Sequence, residues 1–177
     1  MDIIVTGFEP FGGSDINMSW EAVREMRGVQ ALLLPVSFKR AARLVRELVS
    51  EKPDRIVCVG EAGGRTRISI ERVAINLADA RIPDNDGFQP VDEPLCPGRP
   101  NAWFSALPVR EMLARAQGRA ELSCTAGTYV CNAVFYALMD EIDALGAATR
   151  GGFIHVPARG MEKAEIRRTL EDMILME

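Results

Sequence analysis

A chain of 177 residues, 47% hydrophobic and 26% charged, is long enough to bury a core without disulfides or a structural metal, and reads as one globular domain over residues 1–177. With 21 basic against 25 acidic residues the net charge is −4, which gives no electrostatic reason to expect nucleic acid or an anionic membrane as a partner. No apolar run approaches the roughly 20 residues that cross a bilayer, and the opening MDIIVTGFEPFGG, with Asp2 and no basic segment, does not read as a signal peptide; the expected setting is the cytoplasm.

Asp2 to Thr6 is a short apolar run ending at Gly7 and reads as a buried strand. SWEAVREMRG follows at helical spacing, with Ser19 as the expected N-cap, Trp20, Val23 and Met26 on one face, and Gly28 past the end. VQALLLPV is the second strand. From Ser37 to Glu51, Phe38, Ala41, Leu44, Val45, Leu48 and Val49 line one helical face, and Pro53 stops it. RIVCVG is a third buried strand, turning at Gly60.

In ISIERVAINL, Ile68 and Ile70 alternate, followed by Val73, Ile75 and Leu77, which implies a strand with an irregularity at Glu71 and Arg72. Arg81 to Asn101, rich in Pro, Asp and Gly, is expected to be a long loop, functional or mobile. A helix opens with Pro108 in its first turn and ends before Gly118. AELSC is a strand, Tyr129 to Leu145 a long helix, GGFIHVP a strand, and Met161 to Met176 a terminal helix. Helices alternating with strands that are apolar almost throughout indicate an α/β sandwich around a largely parallel sheet. Ligands bind such sheets beyond the carboxyl ends of the strands, so Gly7, Gly60, the TAG turn after Cys124 and the end of GFIHVP are expected to converge on one edge.

The four cysteines, Cys58, Cys96, Cys124 and Cys131, form no C-x-x-C pair, and His155 is the one histidine, so neither a disulfide framework nor a metal site is suggested. Cys58 and Cys124 fall within strand patterns and read as structural; Cys96, in the polar loop, reads as an exposed thiol. Cys131 falls in the first turn of its helix if Thr128 is the N-cap. That position would lower the thiol pKa from its free value of about 8.5 and aim backbone N–H groups at a developing oxyanion; the alternative is a buried structural thiol.

His155 is the side chain suited to proton transfer near neutral pH, although its place on an apolar strand also fits a core histidine. Glu71 interrupts an apolar strand, where a carboxylate is costly unless paired. A hydrogen bond from His155 would meet that need and fix the imidazole tautomer. Two loops invite other readings. VGEAGGR resembles a phosphate-cradling turn, but it is neither G-x-G-x-x-G nor a P-loop, and a strand pattern follows it. Phe8 and Phe11 flank a polar turn and would hold a small flat ligand between their faces, or plug the loop from beneath.

TGFEPFGG, GEAGGRTRISIERVAINLADARIPDNDG, TAGTYVCNAVFYALMDEI and RGGFIHVP, in this order up to Pro157, resemble the pyroglutamyl peptidase I (pyrrolidone-carboxylate peptidase) family. The resemblance implies a cytosolic, cofactor-free cysteine peptidase with an α/β/α sandwich around a largely parallel, mixed sheet. It implies Cys131 as nucleophile, His155 as base and Glu71 as the orienting acid. It further implies Phe8 and Phe11 around the pyrrolidone ring, backbone groups at Glu61, Tyr129 and Val130 on its lactam, Arg81 assisting charge stabilisation, and a dimer or tetramer. Three positions depart from the family pattern. Glu61 stands for the glutamine of GQAGG, Met18 for the proline of NPSW, and the chain after Pro157 is short and divergent, bearing on the pocket wall beyond His155 or on a subunit contact.

The expected activity is removal of an N-terminal pyroglutamyl residue from peptides through an acyl-enzyme on Cys131. The alternatives are a nucleoside- or phosphate-handling enzyme using the GEAGGR turn, and a non-catalytic binder of pyroglutamyl peptides.

Overall fold

The computed structural model describes residues 1–176. Strands β1 (Ile3–Phe8), β2 (Gln30–Leu34), β3 (Arg55–Ala62), β4 (Ile68–Glu71), β7 (Ala120–Ser123) and β8 (Arg150–Pro157) form one six-stranded sheet in the order β2-β1-β3-β8-β4-β7. A two-stranded ribbon of β5 (Val73–Ile75) and β6 (Ala102–Phe104) stands beside it. The helices are α1 (Met18–Val23), α2 (Phe38–Ser50), α3 (Val109–Arg115), α4 (Val130–Leu145) and α5 (Lys163–Ile174).

Alternation along the strands fills two cores, one on each face of the sheet. Ile4, Ile56, Cys58 and Phe153 point to the face covered by α2 and α4, joining Val45, Val49, Val134 and Leu138. Ile3, Val5, Val57, Val59, Ile154 and Val156 point the other way, against α1, α3 and α5 through Val23, Met112, Ile166 and Leu170. The sheet is therefore the central layer of an α/β/α sandwich, as the run of apolar strands implied.

Strand direction corrects one expectation. β2, β1, β3 and β8 are parallel, but β4 runs antiparallel to β8, and β7 is parallel to β4. The carboxyl end of β7 therefore faces away from the edge at which β1, β3 and β8 end. Gly7, Gly60 and the end of β8 share an edge, whereas the TAG turn leaves β7 from the opposite direction, and residues 124–129 carry the chain back to it. The irregularity at Glu71 and Arg72 is an exit. Arg72 N–H bonds Ser123 O (2.8 Å), and its carbonyl accepts from Ser105 N, so the chain passes from the main sheet into the β5–β6 ribbon.

Helix ends differ from the sequence reading in ways that local chemistry explains. Asn17, not Ser19, caps α1: its side chain accepts from Ser19 N (3.0 Å) and from the Ser19 hydroxyl (2.7 Å), while Ser19 Oγ accepts from Phe8 N. The helix stops at Val23 rather than reaching Arg27. Pro108 occupies the N-cap position of α3 and is not inside it. Ser37 caps α2 as its position suggested.

The long excursion 81–101 has no regular element but is tied down. The Asp84 carboxylate is buried and accepts three backbone N–H groups, from Phe38 at the start of α2 and from Asp86 and Phe88. A negative group at a helix N-terminus is favourably placed. Ala78 and Glu93 exchange backbone bonds, and Tyr129 Oη donates to Pro83 O (3.0 Å). The divergent segment after Pro157 forms α5 and packs on α1 and α3.

At Gly7 the end of β1 meets α1 with no room for a side chain. A Cβ there would stand 2.8 Å from Trp20 Cα and 2.9 Å from Trp20 N, and backbone cannot swing aside as a flexible side chain can. Gly7→Ala is expected to cost about 1–3 kcal/mol, lowering the thermal midpoint by about 2–10 °C. Gly63→Ala, where a Cβ meets nothing within 4 Å, should leave the midpoint in place. Equal midpoints for the two variants would refute the close-approach account.

Candidate active site

The same alternation that builds the core assembles a polar cluster. Register places Gly60 beside His155 and Cys58 beside Phe153 across β3 and β8, and Ser69 beside His155 and Glu71 beside Phe153 across β8 and β4. Residues at matching register share a face. Gly60, His155 and Glu71 therefore all point to the α4 side, one from each of three adjacent strands.

Glu71 is fully buried and His155 nearly so, and His155 Nδ1 lies 2.7 Å from Glu71 Oε1. A carboxylate can only accept, so Nδ1 carries the proton and the Nε2 lone pair is left free to take one. Phe153 packs on the imidazole, ring centroids 4.9 Å apart. Cys131 is the second residue of α4. Its thiol lies directly over Gly60: a Cβ added there would meet Sγ at 2.7 Å and Phe153 Cζ at 2.8 Å. Glycine at position 60 therefore makes the space that the sulfur occupies, beside the strand position of His155.

The first turn of α4 is open. Its N-cap is Tyr129, which makes no side-chain capping bond, and the N–H groups of Val130, Cys131 and Asn132 have no acceptor among the described residues. Thr128 is not the cap, because its hydroxyl donates instead to Asp79 O (2.7 Å), pinning the neighbouring segment. Unpaired N–H groups at a helix start form a site for negative charge, beside the Cys131 sulfur.

The expected lowering of the Cys131 pKa is not what this environment produces. Burial, followed by the negative charge of Glu71, pushes the thiol up to about 12, against a smaller opposing pull from Arg65. Burial also lowers the His155 pKa, outweighing the hydrogen bond and charge of Glu71 that raise it. Both directions favour an uncharged pair: a protonated thiol beside a neutral imidazole.

Phe8, Phe11, Val36, Glu61, Tyr129, Val130 and Cys131 line a small, mostly apolar pocket of about 230 Å³, its mouth included. Phe8 is buried and tilted against Phe153, whereas Phe11 is partly exposed and packs on Tyr129 (6.2 Å between centroids). Six of the substrate-site and nucleophile residues expected from the sequence thus meet in one place. α5 lies on the other face of the sheet, so the divergent segment after Pro157 supplies none of this wall.

Glu61 has a second duty. Its Oε2 accepts the N–H of Met18, the first residue of α1, at 2.7 Å. Arg81 is exposed and forms no hydrogen bond or ion pair among the described residues. The cation that touches Glu71 is Arg65 of the GEAGGR turn, with Nη1 2.5 Å from Oε1. That arginine is thereby engaged, and the turn leads into β4 rather than a helix, so the phosphate-cradle reading loses both of its requirements. Asn132, also missed, is buried and locks α4 to the ribbon, accepting from Ile75 N and donating to Ile75 O and Leu77 O. Among the other cysteines, Cys58 is buried as expected. Cys124 is exposed past the end of β7 rather than within it, and Cys96 is partly buried, its sulfur 3.4 Å from Arg46 Nη2.

A family model described as pyroglutamyl peptidase matches residues 1–168. The pyrrolidone-carboxylate peptidase of Thermococcus onnurineus is 43% identical over 187 residues, covering 98% of this chain and 94% of the relative. The Bacillus subtilis protein of the same name is 46% identical over 166 residues, covering 88% and 77%. Among solved structures, pyroglutamyl peptidase I from Bacillus amyloliquefaciens superposes with a TM-score of 0.93 at 40% identity, over 99% of this chain and 94% of that one. A mutant pyrrolidone carboxyl peptidase from Pyrococcus furiosus gives 0.92 at 36% identity, over 99% and 97%.

Because burial holds the thiol proton on Cys131, its alkylation by iodoacetamide should keep accelerating with pH up to pH 10. Mass spectrometry of labelled peptides between pH 6 and 10 checks this. A Cys131 rate that has already levelled off by pH 7 would mean a resting thiolate.

Proposed function

The chain belongs to the pyroglutamyl peptidase family, and we propose that its pyroglutamyl-peptidase activity runs through Cys131, His155 and Glu71. The observation that carries this reading is the buried His155–Glu71 pair at 2.7 Å, next in register to Gly60, over which the Cys131 sulfur sits, with Cys131 also lining the Phe8–Phe11 pocket.

The substrate is a peptide whose N-terminal residue is pyroglutamyl. Its ring enters between Phe8 and Phe11, and its lactam bonds backbone groups at Glu61, Tyr129 and Val130. The apolar lining of this pocket favours an uncharged ring and penalises the ammonium of an ordinary amino terminus, which would lose its hydration there. As the sulfur attacks the pyroglutamyl carbonyl, the thiol proton passes to His155 Nε2, and the carbonyl oxygen becomes an oxyanion facing the open N–H groups of α4. Collapse breaks the C–N bond. The imidazolium gives its proton to the leaving amine, and the pyroglutamyl group remains as a thioester on Cys131. Water then attacks the thioester, losing a proton to His155 as it does so. The tetrahedral adduct expels the sulfur, which recovers that proton, and pyroglutamate departs.

Glu71 acts by holding the Nδ1 proton and by stabilising the imidazolium at both stages. The charge of the oxyanion falls to backbone N–H groups in this scheme, with Arg81 at most an outer contributor from its exposed position. The protein acts in the cytoplasm, where thiols stay reduced, and as a homodimer or homotetramer. No helix among the described residues is long and apolar enough to cross a membrane.

Turnover of a pyroglutamyl-amide reporter is the test. Cys131→Ala and His155→Ala should each remove at least about 10³-fold of kcat/KM with the fold retained, and Glu71→Gln somewhat less, since it keeps the shape while losing the charge. A reporter turned over at wild-type rate by Cys131→Ala would end the reading. Phe11→Ala removes one wall of the ring pocket. It should raise KM several-fold to about 100-fold, corresponding to about 1–3 kcal/mol. A lower thermal midpoint with unchanged KM and kcat would make Phe11 a packing residue.

A further inference from the structure

Arg65 sits in a glycine turn at the surface, its side chain 24% exposed, yet its guanidinium reaches a carboxylate with no exposure at all. Nη1 donates to Glu71 Oε1 at 2.5 Å, the oxygen that also accepts the Nδ1 proton of His155. Nη2 donates to Thr125 O at 2.8 Å and lies 3.3 Å from Ser123 Oγ. Glu71 Oε2 is buried with no partner, so both strong contacts of this carboxylate fall on one atom. Arg65 is thus the bridge between the acid of the triad and the turn that carries the chain from β7 to Cys131.

We propose that Arg65 is a positioning residue of this active site: it holds the Glu71 side chain in place beneath His155 and anchors the 123–125 turn from which α4 delivers the nucleophile. The inference rests on the triad reading above. Two separable tasks follow from the two ends of the guanidinium. The charged end holds the Glu71 carboxylate by a charge-assisted hydrogen bond on the oxygen that also meets His155 Nδ1. The planar fork, which a lysine lacks, fixes the distance between β4 and the turn.

The charged and titratable groups that face His155 and its thiol partner are Glu71 from β4, Arg65 from the β3–β4 turn, Cys131 from α4, and Cys58 and Glu61 from β3, which act on Cys131. Arg65 favours the neutral imidazole, since its positive charge opposes a second one nearby. Activity needs His155 neutral. Removing a positive charge makes the imidazole easier to protonate, so the acid limb of the rate profile must move to higher pH. A structural anchor alone would lower the rate without moving the limb.

The test is the pH profile of kcat/KM for the pyroglutamyl-amide reporter, measured on wild type, Arg65→Gln and Arg65→Lys, with Cys131→Ala alongside. Arg65→Gln should lose about 10- to 100-fold in kcat with KM little changed, and its acid limb should move up by about one pH unit. Arg65→Lys should return the limb to the wild-type position while kcat stays depressed, because the charge is restored and the fork is not. If Arg65→Gln does not fold, the neutral Arg65→Met takes its place with the same raised limb expected, and wild-type kcat or a KM-only effect in Arg65→Lys overturns the inference. An unmoved limb in folded Arg65→Gln, with Cys131→Ala inactive, overturns the role of Arg65 and leaves the triad standing. Turnover by Cys131→Ala removes the triad reading itself.

Discussion

A carboxylate with no solvent exposure, set at the end of the fifth strand of a six-stranded sheet, is the constraint around which this site is organised. Moving an isolated carboxylate out of water costs many kcal/mol, so a buried one persists only with strong donors around it. Glu71 has two, His155 from the neighbouring strand and Arg65 from the turn above. The first sets the imidazole tautomer and the direction in which its free nitrogen points. The second connects the carboxylate to the loop that precedes the nucleophilic helix. Sheet register does the remaining work, since β4, β8 and β3 lie side by side and present Glu71, His155 and Gly60 to the same face.

Two effects compete for the proton of Cys131, and their sizes decide the outcome. A helix N-terminus favours a nearby anion by about 0.3–1 kcal/mol, less than the roughly 1.4 kcal/mol that moves a pKa by one unit. Burial acts the other way and takes the thiol to about 12. The helix end is therefore too weak to create a standing thiolate in this setting, and in the proposed mechanism its N–H groups serve the oxyanion instead. Catalysis on these terms depends on proton transfer to a neutral His155 at the moment of attack, and the environment lowers the imidazole pKa as well.

Most of the architecture was legible because apolar strands buried on both faces leave a continuous sequence signal, and α2 and α4 carry long helical patterns. Glu71 was legible for a physical reason too, as an acid where only a paired one is tolerated. What sequence could not show was non-local. The antiparallel setting of β4 depends on which neighbour it joins, and no local pattern records that. Thr128 looked like a cap, but its hydroxyl is taken by Asp79 O, 49 residues away in the chain. Arg65 was read for the glycines before it, while its partners, Glu71 and Thr125, become neighbours only when the sheet forms. The protonation state of Cys131 is likewise a property of the finished core.

The contact between Glu61 and Met18 ties together two positions at which this sequence departs from the pattern of the family it resembles. A proline opening α1 has no N–H, so the side chain at position 61 would have no such donor to meet. Methionine there exposes an N–H in a partly buried spot, and Glu61 Oε2 accepts it at 2.7 Å. Replacing Met18 by proline would remove that donor and strand a carboxylate at the edge of the Phe8–Phe11 pocket.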